Sequence, residues 1–166
     1  GSSANTIKNN ISNGNFSAGE NSSGIVISGG STNNLIVSNT ANKNYFNGVW
    51  IQSSSYNTVA RNTLSDQIYD VTGSGIKLDG DYHNVVAHNV IDSNPGYQIY
   101  VTGASHSDTI QKNIIRPSTG NPDSGIYLNS SNTNPFFLTT RNWWGSTDSV
   151  AVNRYIFKGS SDDVIQ

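Results

Sequence analysis

Apolar residues in this chain come in short runs of three or four, separated by clusters of Asn, Ser, Gly and Asp, and the runs recur as phrases. NTIKNNI, NLIVSNT, NTVARNTL, NVVAHNVI, DTIQKNII and, less regularly, FLTTRNWW place asparagines at 10, 39, 62, 89, 113 and 142, at spacings of 29, 23, 27, 24 and 29. A second phrase follows each of the first five: GIVI at 24–27, GVWI at 48–51, GIKL at 75–78, QIYV at 98–101 and GIYL at 125–128. A period in the twenties identifies a solenoid, built of leucine-rich repeats or of parallel β-coils. Only five leucines are present and no L-x-x-L-x-L phrase occurs, whereas β-branched residues fill the runs as strands prefer. The connections are too short and too poor in helix formers for a helix in each repeat. The pattern predicts an all-β, right-handed parallel β-helix of about six coils, its hand following the usual crossover rule. Residues 4–145 form the coils and 146–166 a cap. In the cap, the spacing of Val150, Tyr155 and Phe157 after Asp148 and Ser149 predicts a short capping helix.

Register then assigns columns. The asparagines at 10, 39, 62, 89, 113 and 142 fall where a buried aliphatic is due, and stacking at the ~4.8 Å strand spacing lets each amide bond the next, so this column is a structural ladder. Asn5, Asn34, Asn57, Asn84 and Asp108 precede each first strand and read as local turn chemistry, side chain to backbone. In the second phrase the first and third aliphatics turn inward and the residue between them outward. That outward column reads Val26, Trp50, Lys77, Tyr100 and Tyr127, with Trp50 and Tyr100 ~10 Å apart at twice the strand spacing. Aromatic rings can stack on the apolar faces of sugars while neighbouring polar groups take the hydroxyls, which makes the strip a candidate carbohydrate site. The competing reading is sheet stabilisation by cross-strand ring contacts. Asp79, Asp81, Tyr82, Tyr97 and Gln98 flank the strip as candidate hydroxyl partners. A further outward column, Ile11, Thr40, Thr63, Val90, Ile114 and Trp143, reads as ordinary sheet surface. Ser38, Arg61, His88, Lys112 and Arg141 form a mostly basic stripe along which an acidic sugar could lie.

Composition narrows the ligand. Nine basic against eleven acidic residues give a net charge of -2, which supplies no electrostatic reason for nucleic acid or an anionic membrane as partner. Asn and Ser contribute 49 residues, yet the ordered spacing of the apolar runs argues for a folded domain. Cysteine and methionine are absent, so no disulfide, thiol nucleophile or thiolate metal site is available. No apolar segment approaches membrane-spanning length. The opening GSS, residues 1–3, reads as a remnant of cloning, and with it the chain reads as an excised module whose export signal lies upstream.

The N-x-[IV]-x-x-N-x-[IL] phrase followed by G-I-x-[IVL] resembles the repeats of the pectate-lyase-like β-helix superfamily, in particular those of its carbohydrate-binding and sugar-hydrolase domains. The resemblance covers residues 4–145, and the closing RNWWGSTDSV resembles the last coil of such domains. It implies a secreted or cell-surface protein and, most closely, a non-catalytic module that binds a plant cell-wall polysaccharide such as xylan and is joined to an upstream catalytic domain. The site residues it points to are Trp50, Lys77, Tyr100, Tyr127, Asp79, Tyr97 and Gln98. Members of the superfamily also include enzymes and tailspikes, so a lyase or hydrolase acting on uronate polymers, and a structural segment of an adhesin or tailspike, stand as alternatives.

Marks of catalysis are missing from the sequence. The N-T-D, G-H-G and R-I-K phrases of polygalacturonase-like hydrolases do not occur in order, Arg116-Pro117 is the only echo of a pectate lyase, and DGDYHN is a poor substitute for the Y-G-x-D-P-H of alginate epimerases. Asp79 and Asp81, two apart in a turn, give no reason to expect the carboxylate separation of a glycosidase. His83, His88 and His106 read as surface histidines without an acid or serine partner. Insertions at 65–74 and 116–124 project loops from one corner, where specificity commonly resides. No cofactor is expected. Asp66 and Asp70 with Asp79 and Asp81 could hold calcium, though no D-x-D-x-D-G phrase occurs.

Overall fold

The computed structural model of the chain describes residues 1–17, 22–69, 72–118, 125–131, 136–149, 152, 155–158 and 164–165. Strands follow the two phrases of every repeat. In chain order they are β1 (Thr6–Lys8), β2 (Ile25–Ile27), β3 (Leu35–Val37), β4 (Asn47–Gln52), β5 (Thr58–Ala60) and β6 (Thr63–Ser65). The next are β7 (Ser74–Asp79), β8 (Val85–Ala87), β9 (Val90–Asp92), β10 (Tyr97–Gly103), β11 (Thr109–Gln111) and β12 (Ile114–Arg116). β13 (Ile126–Ser130), β14 (Phe136–Thr140), β15 (Ile156–Lys158) and β16 (Val164–Ile165) complete the series.

All the strand pairs are parallel and join equivalent positions of successive repeats. They form three faces: β1-β3-β5-β8-β11-β14-β16, β2-β4-β7-β10-β13-β15 and β6-β9-β12. This is a parallel β-solenoid. About six regular coils were expected; among the described residues three carry a strand on every face: β5 to β7, β8 to β10 and β11 to β13. In the coils before them the third face is reduced to the isolated bridges Ile11↔Thr40 and Thr40↔Thr63.

Each strand alternates about the core as its pattern requires. Ile25, Ile27, Val49, Ile51, Ile76, Leu78, Ile99, Val101, Ile126 and Leu128 turn inward from the second face. Ile36, Val59, Val86 and Ile110 do so from the first, and Leu64, Ile91 and Ile115 from the third. Burial of each of these side chains contributes roughly 1.5–3 kcal/mol. The column Ile11, Thr40, Thr63, Val90, Ile114 and Trp143 lies in register on the outside, as the pattern predicts.

The corners are held by amides. Asn10, Asn39, Asn62, Asn89, Asn113 and Asn142 form the expected ladder, each Nδ2 donating to the next Oδ1 at 3.0 Å. The backbone N–H of each rung donates to the same oxygen, and from Asn39 onward the Nδ2 also reaches a carbonyl of the preceding coil, as Asn89 does to Val59. Just before each rung a residue sits in the left-handed region: Asn9, Ser38, Arg61, His88, Lys112 and Arg141 have φ of 55–59°. A non-glycine residue there costs roughly 1–2 kcal/mol, which the ladder's hydrogen bonds offset.

Two departures concern side chains expected at turns or on the surface. Asn5, Asn34, Asn57, Asn84 and Asp108 are not confined to local turn chemistry; they form a second ladder from coil to coil. A third runs through Asn15, Asn44, Gln67 and Asn94, and the side chain of Gln98, four residues on in the same coil, closes it. Gln98 is therefore fully buried, its Oε1 accepting from Asn94 Nδ2 at 2.7 Å, and it cannot serve as an outward hydroxyl partner. The reason lies in its column, which is otherwise Gly24, Gly48, Gly75 and Gly125 and points inward where there is little room. A Cβ on Gly75 would collide with the Ile91 side chain.

Of the expected capping helix, Ser149 and Val152 are helical, and the residues between them lie outside the described ones. Val152 N–H donates to the Asp148 carbonyl at 2.9 Å, a single turn, after which the chain returns to the sheet as β15 beside β13. β16 pairs with β14. These strands continue two of the sheets by one further strand each. Val150 lies outside the described residues.

Candidate functional site

The outer column of the second face is in register as the phrases require: Val26 beside Trp50, Trp50 beside Lys77, Lys77 beside Tyr100 and Tyr100 beside Tyr127. Its members differ in accessibility. Trp50 points away from the core yet is only 4% exposed, because the groups around it close over the indole. The Lys77 ammonium stands 5.0 Å from the Trp50 ring centre and 5.7 Å from that of Tyr100, and forms an ion pair with Asp79 at 3.3 Å. Tyr100 and Tyr127 stack with centroids 5.5 Å apart and an interplanar angle of 8°. Tyr97 packs on both, at 5.3 and 4.7 Å. Burial pushes the Tyr97 phenol above its ordinary value, with smaller contributions from Tyr127 and Tyr100.

This arrangement changes what the strip can do. Ring faces expected to be open to sugars are turned toward one another, with the Lys77 ammonium set between Trp50 and Tyr100. What faces outward is ring edges and polar groups. Beside the strip lies a cleft of about 140 Å³ lined by Phe46, Asn47, Trp50, Gln52, Thr72, Lys77 and Asp79. Its walls come from β4 and β7 and from Thr72 of the 65–74 insertion. The indole Nε1 of Trp50, one of the lining residues, is buried and has no hydrogen-bond partner among the described residues. A buried donor left unpaired costs roughly 1–3 kcal/mol, so such a group is normally matched by something. Phe46, Asn47, Gln52 and Thr72 were not singled out from sequence. Asn47 and Phe46 precede the GVWI phrase, and no periodic signal separates them from ordinary turn residues.

A second cluster was not foreseen as a unit. At the corner between β7 and β8, Tyr82 is bridged to His106 of the following coil, and His83 stands one coil above Tyr56. Tyr82 and His106 stack at 5.2 Å and 3°, Tyr56 and His83 at 5.1 Å and 28°, and the two imidazole centroids are 6.2 Å apart. Tyr56 and Tyr82 are 51% and 40% exposed. Residues 23 apart in the sequence meet only because the solenoid repeats, which is why reading the histidines singly left them without partners. His88 is exposed at another corner.

Behind this surface lies an acid pair. Asp81, expected to be a solvated turn residue, is fully buried in the column of Ser31, Ser54 and Ser105, and its N–H donates to Ser105 Oγ. Asp108 replaces an amide in the second ladder and accepts from Asn84 N–H at 2.7 Å. Burial, then the charge of Asp108, pushes Asp81 up to about 9, and burial raises Asp108 to about 6 against the hydrogen bonds from Asn84. Both Asp81 oxygens and Asp108 Oδ2 lack a donor among the described residues, so a proton held by Asp81 supplies the missing one. Asp81 is thereby removed from the candidate calcium set. Asp79 is engaged by Lys77, Asp66 accepts from Ser65, and Asp70 lies outside the described residues. No group of three His, Cys, Asp or Glu placed to hold a metal occurs among the described residues.

A family described as periplasmic copper-binding protein (NosD) matches residues 61–143, half of the chain. No curated protein and no solved structure matches.

Proposed function

Since the chain belongs to the periplasmic copper-binding protein (NosD) family, we propose that it works outside the cytoplasm as a non-catalytic binding module. In this reading it grips a plant cell-wall polysaccharide, xylan or a similar β-linked glycan, at the cleft beside Trp50, and is carried with a catalytic domain acting on the same polymer. The observation that carries the reading is the cleft itself. An ammonium and a carboxylate held as a pair and the Gln52 side chain line a space walled by Phe46 and Trp50, whose indole N–H is buried without a partner among the described residues. Aromatic walls with a few fixed polar groups are what sugar recognition needs. About 140 Å³ is small beside the ~300–1,000 Å³ that engulfs a whole small molecule. The cleft therefore suits one unit of a longer chain, the rest running over the edges of Tyr100 and Tyr127.

Copper bears differently on this donor set. With no cysteine or methionine anywhere in the sequence, the soft ligands that select Cu(I) are missing. Imidazoles are what remains, and His83 and His106 are brought together.

Calorimetry of the isolated chain against xylan, glucan, mannan and pectin fragments tests the polysaccharide reading. Trp50→Phe keeps most of the ring but removes the N–H, and is expected to weaken binding about 5- to 30-fold, the worth of a hydrogen bond of about 1–2 kcal/mol. Lys77→Met should weaken it further. Saturable binding that neither substitution alters, or no binding across the panel, would refute the assignment.

A further inference from the structure

We infer that the file Arg61, His88, Lys112 and Arg141 is a docking surface for an anionic polysaccharide, a linear glycan bearing carboxylate or sulfate groups, laid along the solenoid axis. None of the four lines the Trp50 cleft, so the inference stands apart from the reading of that cleft.

Placement comes first. Backbone hydrogen bonds hold the four in register: Arg61 N–H donates to Ala87 O at 3.2 Å, His88 N–H to Gln111 O at 3.3 Å and Lys112 N–H to Thr140 O at 3.1 Å. Successive members are one strand spacing apart, ~4.8 Å, and the file runs about 14 Å along the rod. All four are exposed. Arg61, Lys112 and Arg141 form no ion pair and no side-chain hydrogen bond among the described residues, where the ion pairs are Lys77 with Asp79 and Arg116 with Asp92.

Folding gives no reason for such a file. Its backbone is left-handed, with φ of 55–59°, a conformation that suits asparagine or glycine better than a long side chain. In the first two coils the position is held by Asn9 and Ser38. Like charges stacked on neighbouring strands repel. Nor does the repeat impose one sign: at the other corner of the third face the same left-handed position reads Lys43, Asp66 and Ser93. What the file offers is a line of unpaired donors, two of them guanidinium forks that fit carboxylate or sulfate oxygens in pairs. A line one residue wide suits a linear chain, whereas an anionic membrane engages a broad basic cluster and a single-stranded nucleic acid needs rings along the line for its bases. Beside the file, the outward column Thr63, Val90, Ile114 and Trp143 forms a flat, mostly apolar shelf on which sugar rings can rest. Trp143, two residues beyond Arg141, is 48% exposed.

The test titrates the chain by calorimetry with dextran, carboxymethyl-dextran and dextran sulfate fragments of one length, so that only the charge on the glycan changes. At about 50 mM salt the anionic glycans should bind saturably and dextran should not, and affinity should fall about 10-fold at about 200 mM as three neutralised charges release counterions. The tighter of the two anionic glycans identifies the preferred group. Arg61→Asn, Lys112→Asn and Arg141→Asn should weaken binding about 3-fold singly and at least about 10-fold together. Lys43→Asn, the same loss of charge at the other corner, should leave affinity within about 2-fold. Circular dichroism verifies that every variant is folded. Equal binding of dextran, no binding of either anionic glycan, unchanged affinity in the triple variant, or an equal loss in Lys43→Asn would overturn the assignment. Tighter binding of a single-stranded oligonucleotide or of anionic phospholipid vesicles would overturn it as well. Trp50→Phe should leave these titrations unchanged and the triple variant should leave xylan binding unchanged, so the file and the cleft stand or fail separately.

Discussion

At the scale of single residues the structure is most exposed where an acid replaces an amide. Asp108 sits in a ladder of asparagines and faces Asp81, and both hold their protons above the pH at which an unfolded aspartate loses them. A folded state that binds more protons than the unfolded chain loses stability as pH rises. The contribution of this pair is fully present below about pH 4 and declines as pH climbs toward the folded values of about 6 and about 9. In metal-free protein, Asp108→Asn should flatten that slope and raise stability at pH 8 by on the order of 2 kcal/mol. Urea melts of both proteins at pH 5 and pH 8 measure it; equal slopes would contradict the buried pair. A second residue-scale expectation concerns the left-handed corner. Arg61→Asn should be neutral or stabilising, whereas Arg61→Val, β-branched at φ 56°, should cost at least about 1 kcal/mol.

At the scale of elements the ladders do for the corners what aliphatics do for the faces. Asn89 donates to Val59 O and Asn113 Oδ1 and accepts from Asn62. Asn89→Ala therefore strands several buried groups at once and should cost more than about 3 kcal/mol in urea unfolding, against less than about 0.5 kcal/mol for an exposed change such as Lys112→Ala. The strands and the first ladder were legible in the sequence because both rest on strict periodicity: a residue type returning once per coil has to stack. The second and third ladders were harder to see, since Asn, Asp and Gln before a strand look the same whether they bond locally or across coils. Gln98 shows where a better signal lay, because a glutamine in a column of glycines must be filling interior space. The strip was legible as a line of outward positions, Lys77 beside Trp50 included, but an outward position in a column does not reveal that Trp50 is buried, nor that Phe46, outside the column, lines the same cleft. The imidazole pair could have been found by laying the corner columns side by side, Tyr82 against His106 and Tyr56 against His83.

At the scale of the molecule the solenoid is nearly one-dimensional, each coil resting on its two neighbours. Among the described residues, coils with strands on all three faces lie between Thr58 and Ser130, and those on either side show fewer. Hydrogen exchange should be slowest in β7, β8, β9 and β10 and faster toward β1 and β15, a gradient rather than a uniform protection. Uniform protection would mean that the ends are stabilised as strongly as the middle. The same architecture places two distinct surfaces on one rod, the cleft at Trp50 and the aromatic-imidazole corner, each assembled from residues that the repeat makes neighbours.

The polysaccharide reading turns on Trp50, which lines the cleft and whose indole N–H is buried without a partner among the described residues. The chain has three tryptophans, Trp50, Trp143 and Trp144, so its indole N–H region in a nitrogen-15 correlation spectrum holds three resolvable signals. During titration with a xylo-oligosaccharide the Trp50 signal should move downfield and saturate while the other two stay in place. A Trp50 signal that remains still at saturating oligosaccharide, or movement confined to Trp143, would contradict a sugar bound in the cleft.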